Sequence, residues 1–299
     1  MTTLRLATRK SALALAQSRM VARALESLHP GLSVEEVQLT TQGDRVQDRS
    51  LAAIGGKGLF VKEIEEALLE GRADLAVHSM KDLPATVPEG LTVCAVPNRE
   101  DPFDLLVTRD GRGLDALAPG ATVGTSSRRR ELLLLEARPD LTCALLRGNV
   151  DTRLRRLEEG AYDAIVLAAA GVRRLGLSVR GVSLEGALLP AIAQGALALE
   201  AREDDARTRM LVAPLDDPRT RLETHAERAV LRALGGSCVT PVAAYARLAG
   251  DGAMRIDGFL ATEDGSRRGR AYRSGKVVAV ASAEALGRSL AEGLAAALG

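Results

Sequence analysis

The stretch Ala73-Asp74-Leu75-Ala76-Val77-His78-Ser79-Met80-Lys81-Asp82-Leu83-Pro84 sets a short apolar run directly before a cluster of polar side chains. Leu75, Ala76 and Val77 have the pattern of a buried strand. His78, Ser79, Lys81 and Asp82 follow at once, and Pro84 stops regular structure. In an open α/β sheet, ligands sit beyond the carboxyl ends of the strands. An imidazole, a hydroxyl, an ammonium and a carboxylate therefore stand where a ligand would lie. Taken alone, the stretch reads equally as a strand ending in a solvated turn. The other strand ends of the chain decide between the two.

Outward from this strand the same grammar repeats. Leu4–Ala7 reads as a strand, followed by Thr8-Arg9-Lys10-Ser11 and a helical pattern over 12–28, with Ser11 suited to cap it. Residues 32–39 and 91–96 read as further strands. Pro97-Asn98-Arg99-Glu100-Asp101-Pro102 reads as a hinge. Beyond it, strands over 121–124, 141–146 and 162–169 end in Thr125-Ser126-Ser127-Arg128-Arg129-Arg130, in Arg147-Gly148-Asn149 with Arg153 on the next helix, and in Gly171 to Arg174. Leu68–Val77 parallels Leu157–Val166: a helix end, a Gly cap, an Asp and a buried strand. The expected fold is α/β, with two similar domains facing each other across a cleft. The stretch around Gln194-Gly195 carries the chain back, which makes the hinge double-stranded. A smaller α+β unit follows, with a helix over 220–234, a Gly-rich turn at 235–241, alternating strands and a last helix over 283–298. The expected boundaries are 1–98 with 195–216, 101–191, and 218–299.

Composition narrows the function. A chain of 299 residues holds two or three domains. Aromatic residues are 2% of it and Trp is absent, which excludes binders that stack bases on aromatic platforms. A net charge of +1 gives no field for a polyanion. Cys94, Cys143 and Cys238 are far apart, so neither a zinc site nor a disulfide framework is expected. The first residues lack a signal-peptide core and no apolar run approaches spanning length; a soluble, cytoplasmic protein without a membrane partner is expected. Residues 40–58 form a long polar stretch ending Ile54-Gly55-Gly56-Lys57-Gly58. It fails the phosphate-loop pattern and reads as a mobile cover with Lys57 near its base.

Arg9, Arg129, Arg130, Arg147, Arg153 and Arg174 fall at or just beyond strand ends, and Ser11, Ser79 and Ser127 add hydroxyls. Guanidinium groups grip carboxylates by paired hydrogen bonds. If they share one cleft, the ligand carries several carboxylates or phosphates; if not, they are surface charge. Asp82 is the carboxylate on the turn that carries Lys81, placed to offset positive charge on a substrate nitrogen or to move a proton. Cys238, in the Gly-rich turn, is a candidate nucleophile or attachment point. Cys94 and Cys143, inside apolar strands, read as small core residues.

These residues together resemble the porphobilinogen deaminase (hydroxymethylbilane synthase) family. The matching segments are Ala7–Ser11, Gly55-Gly56-Lys57-Gly58-Leu59-Phe60, Val77–Asp82, Gly124–Ser127, Arg129-Arg130, Arg147–Val150, Gln194-Gly195 and the Cys238 turn. They run in family order from about residue 4 to 245. The resemblance implies two periplasmic-binding-protein-like domains and a smaller third one, in a monomer. It implies the joining of four porphobilinogen units, with loss of ammonia, into hydroxymethylbilane. It also implies a dipyrromethane cofactor held by a thioether to Cys238. Asp82 matches the catalytic carboxylate; Lys81, Ser79, Ser127, Arg129 and Arg130 match cofactor contacts. Arg9, Ser11, Gln17, Arg147, Arg153 and Arg174 match groups near the substrate and the growing chain. Lys57 and Phe60 match the cover, and Gln194 the hinge. Ser237, Asp151, Ala53 and Arg128 depart from the family pattern. The competing reading is a two-lobed, non-catalytic binding protein for a polycarboxylate, which requires neither Lys81-Asp82 nor Cys238.

Overall fold

The computed structural model describes residues 2–41, 61–235 and 240–298. β1 (Thr2–Arg9), β2 (Leu32–Leu39), β3 (Leu75–Ser79), β4 (Leu91–Ala95) and β10 (Leu197–Arg202) form one sheet, in the order β2-β1-β3-β10-β4. β5 (Asp104–Thr108), β6 (Thr122–Thr125), β7 (Thr142–Leu145), β8 (Ala164–Ala168) and β9 (Gly181–Ser183) form a second, in the order β7-β6-β8-β5-β9. In each sheet the first three strands are parallel and the fourth runs antiparallel to both its neighbours. The repeat read from the sequence is thus a repeat of topology. The fourth strand of the first sheet, β10, is made only after the second sheet is complete, so two chain segments cross between the sheets.

The described residues form eight helices: α1 (Ala12–Leu28), α2 (Lys62–Leu69), α3 (Arg128–Ala137), α4 (Val150–Glu158), α5 (Ala169–Arg174), α6 (Ala206–Val212), α7 (Pro218–Ala233) and α8 (Val280–Leu298). Ser11 begins α1 by accepting from the Ala14 N–H at 3.3 Å. The buried residues of α1, Ala14, Gln17, Ser18, Val21 and Leu25, recur at helical spacing, so one stripe faces the sheet. That stripe brings Gln17 to the end of β3.

β5, α6 and β9 are structure that the sequence pattern does not announce. Leu105-Leu106-Val107 is a short apolar run boxed in by polar residues, and β9 is exposed at all three positions. The chain-crossing segments meet at Gly195, which accepts from the Glu100 N–H at 3.2 Å. Gly195 has φ +89°, and a Cβ there would lie 2.2 Å from the Glu100 carbonyl oxygen. Only glycine permits that approach.

The third unit is the antiparallel sheet β11 (Val242–Leu248), β12 (Ala253–Ala261) and β13 (Arg268–Lys276), backed by α7 and α8. It closes two cores. Val230, Ile256 and Leu290 pack with Met80, Leu83 and Ile192 of the first sheet's turn and the hinge. Phe259 and Ala243 pack with Leu132, Leu133 and Leu188 beside the second sheet. Glu227, fully buried on α7, accepts from Arg99 at 2.7 and 3.1 Å, from the Ala193 N–H at 2.6 Å and from the Ala246 N–H at 2.9 Å. A carboxylate with its acceptor sites filled in this way pins both hinge segments to the third unit.

Candidate active site

β3 ends at Ser79, and a single 3₁₀ turn, Met80–Asp82, carries Lys81 and Asp82 out of the first sheet. Met80 is buried beneath and anchors the turn. Ser79 shares hydrogen bonds of 2.9 and 3.3 Å with Gln17. Opposite them, Ser127 caps α3 by accepting from the Arg130 N–H at 3.4 Å, which sets Arg129 and Arg130 in the helix's first turn. Both guanidiniums are buried. Their common partner is Asp104, the first residue of β5, 1% exposed. Asp104 accepts from Arg129 at 2.9 Å, from Arg130 at 2.7 Å and from Gln194 Nε2 at 2.8 Å. Gln194 Oε1 in turn accepts from Lys81 Nζ at 3.1 Å. One chain of contacts thus runs from Lys81 in the first sheet, through the hinge residue, to the arginines of the second.

The electrostatics follow from crowding. Burial by itself raises the Asp104 carboxyl, but Arg130 and Arg129 outweigh it and hold the group well below the usual carboxylate range. Burial pushes Lys81 down to about 8; Asp82 and Asp104 resist, while Arg130 and Arg129 add to the fall. Burial presses Arg153 down to about 10, helped by Arg130 and Arg147 and opposed by Asp82. Among the described residues, the carboxylates that act on this group of cations, Lys81, Arg129, Arg130, Arg147 and Arg153, are Asp82 and Asp104. Among the described residues, Nη1 of Arg147 and Nε of Arg130 are buried without a hydrogen-bond partner. Unpaired buried donors in a cationic pocket are unstable unless an anion meets them. The residues present fit a ligand with several carboxylate arms, as a dipyrromethane with acidic side chains is.

The described structure brings Lys81, Asp82, Arg129, Arg130, Arg147 and Arg153 together, with Gln17, Ser79 and Gln194 beside them. Ser127 is a helix cap. Arg9 ends β1 and Ser11 caps α1 at the same sheet edge. Arg174 reaches the hinge, donating to the Gly195 carbonyl at 2.6 Å. Arg153 Nε donates to the Gly148 carbonyl at 2.8 Å, which fixes its direction. Arg128, a departure from the family pattern, turns to the third unit and donates to the carbonyls of Glu263 and Asp264 at 2.9 and 2.7 Å. Lys57, Phe60, Cys238, Ser237 and Ala53 lie outside the described residues. Asp104 was not singled out by the sequence reading. Its one signal is an acid opening an apolar run just past the hinge. Cys94 and Cys143 sit in strands with thiols pushed up by burial to about 11, as inert core groups do.

Comparison with known proteins gives the family. Residues 4–210 match the family described as "Porphobilinogen deaminase, dipyromethane cofactor binding domain", and residues 221–296 match "Porphobilinogen deaminase, C-terminal domain". The porphobilinogen deaminase of Sorangium cellulosum is 55% identical over 274 residues, 91% of each chain. That of Xanthomonas axonopodis pv. citri is 54% identical over 297 residues, 98% of this chain and 96% of the relative. Among solved structures, the methionine binding protein MetQ aligns over 71% of this chain and 89% of its own, at 14% identity and a TM-score of 0.45. The chain belongs to the porphobilinogen deaminase family.

Proposed function

We propose that this chain joins four porphobilinogen units head to tail into hydroxymethylbilane, and that Lys81 and Asp82 act on one side of the reaction with Arg129, Arg130, Arg147 and Arg153 on the other. The observation that carries the reading is the excess of buried cation around Asp82, with guanidinium nitrogens that lack partners among the described residues. Each unit adds by forming one carbon–carbon bond from its aminomethyl carbon to the free α-carbon of the chain. The amine leaves as ammonia, and the α-carbon gives up its proton; after the fourth addition, water cleaves the bond between primer and product and supplies the hydroxyl of hydroxymethylbilane. Cys238 would hold the dipyrromethane, which when bound would supply the free α-carbon to which the first unit is joined. Lys81, Ser79, Ser127, Arg129 and Arg130 would hold its acidic arms. Arg9, Ser11, Gln17, Arg147, Arg153 and Arg174 hold the incoming unit and the lengthening product. Asp82 stabilises positive charge on the pyrrole nitrogen as the amine departs, in a site where opposite charges are weakly screened.

The division into units 1–98 with 195–216, 101–191 and 218–299, a cytoplasmic location and a monomeric state belong to the same reading, as does a cover at 40–58 that bears Lys57 and Phe60. Among the described residues, no helix is long and apolar enough to cross a membrane. Intact mass of the purified protein tests the reading. An adduct of two pyrrole units is expected on the parent and is absent from Cys238→Ala. Unmodified parent protein, made with porphobilinogen available, favours the non-catalytic two-lobed binder.

A further inference from the structure

Among the described residues, the Asp82 carboxylate makes no hydrogen bond, so the turn that carries it sets its direction. The side chains that hold this turn therefore bear on the chemistry. Before it, His78 and Ser79 alternate along β3 and leave on opposite faces of the sheet. Ser79 meets Gln17 of α1. His78 turns inward instead. Its Nε2 lies 2.9 Å from Glu200 Oε2 on β10, and both side chains are buried. After the turn, Arg228 of α7 donates to the carbonyls of Pro84 at 2.7 Å and Ala85 at 3.3 Å. Glu200 acts on Arg228 as well: its charge opposes the fall to about 10 that burial imposes on the guanidinium. One buried carboxylate thus ties down the strand before the turn and supports the arginine that grips the chain after it.

Stability does not account for this pair. On the same face, Ile64 and Leu68 of α2 pack with Ala7, Ala76 and Leu91 in an apolar core. Oε1 of Glu200 is buried without a partner among the described residues, as is Oε1 of Glu65 on α2. Burial and Glu200 together push the Glu65 carboxyl up to about 7, against the pull of His78. A buried carboxylate–imidazole pair is commonly no more stable than apolar side chains of the same volume; what it can add is a fixed geometry. We propose that His78 and Glu200 are positioning residues for the reaction. The pair fixes the end of β3, and with Arg228 it holds the Lys81–Asp82 turn so that Asp82 stays directed at the cationic wall. The proposal rests on Asp82 as the acid of the reaction.

The test is steady-state kinetics on the intact holoenzyme, with melting and the mass of the adduct recorded for each variant. His78→Leu/Glu200→Met removes both partners and keeps the face filled with apolar side chains. It is expected to carry the adduct and to melt within about 3 °C of the parent. Its kcat is expected to fall about tenfold or more, with KM for porphobilinogen within about twofold. His78→Gln keeps an N–H at the depth of Nε2 and is expected to stay within about threefold of the parental kcat, whereas His78→Asn, one methylene shorter, falls with the double variant. The discriminating step repeats the double variant in an Asp82→Glu background. There the carboxylate is already displaced, so loss of the pair is expected to cost no more than about twofold further; a general defect of the fold would cost the full factor again. The proposal is overturned by parental kcat in the double variant, by equal turnover of His78→Gln and His78→Asn, or by an undiminished loss in the Asp82→Glu background. Parental turnover by Asp82→Glu alone would overturn the reading of Asp82 itself, and the proposal with it.

Discussion

Replacing Asp104 by Asn removes a charge and keeps the volume. Asp104 is 1% exposed and accepts from Arg129, Arg130 and Gln194 at 2.9, 2.7 and 2.8 Å. The amide retains one acceptor oxygen and turns an NH₂ toward groups that are all donors. Two guanidiniums are left facing each other with their counter-charge gone. Breaking a buried ion pair by removing one partner costs about 3–5 kcal/mol. That is a large part of the total stability of a folded domain, about 5–15 kcal/mol. In a chain of this size it corresponds to a fall in Tm of order 10 °C. The loss is expected to be greatest in protein made without porphobilinogen. Carboxylate arms in the site are expected to take over the freed guanidiniums and restore part of the stability by binding only the folded state. The assay is thermal unfolding of parent and Asp104→Asn, each with and without the cofactor adduct, the adduct verified by mass. A variant melting within about 1 °C of the parent in both forms refutes the placement of Asp104 as the counter-charge that holds the two arginines.

Other expectations follow from the same packing. Gly195→Ala drives a Cβ to 2.2 Å from the Glu100 carbonyl at φ +89°, so it is expected to cost at least ~2 kcal/mol and to depress turnover; unchanged melting and activity would show that the crossing can spread freely. Glu65 is raised to about 7 by burial and by Glu200, with His78 opposing. The folded carboxyl then keeps its proton up to about pH 7 while the unfolded one releases it near 4.5, so stability falls as pH rises through that window. Glu65→Gln is expected to be more stable than the parent at pH 8 by roughly 2–3 kcal/mol and nearly equal at pH 4.5, read by denaturant titration. An identical pH slope in the two proteins contradicts it.

The legible part of the sequence is its punctuation. Ser11 and the 29–31 turn bound α1 because a cap and a stop are local devices. The polar clusters after β3, β6 and β7 read as site residues because each follows an apolar run without a gap. Leu68–Val77 and Leu157–Val166 gave away the repeat, and the two sheets share their strand order. What did not read was a strand made by its partners. β5 owes its place to β8 and β9 on either side, and its Asp104 faces arginines 25 and 26 residues away. No local pattern encodes such a pairing. Likewise, six arginines at strand ends read alike, yet burial separates them. Arg129 and Arg130 are sealed against Asp104, whereas Arg174 turns to the hinge carbonyl of Gly195.

In the proposed reaction Asp82 is the acid that faces the cationic wall, and ammonia release by Asp82→Asn tests that role most directly. The variant is expected to melt like the parent and to release almost no ammonia from porphobilinogen when assayed as purified. Ammonia release at close to the parental rate, from protein confirmed by mass to carry the substitution, would contradict it.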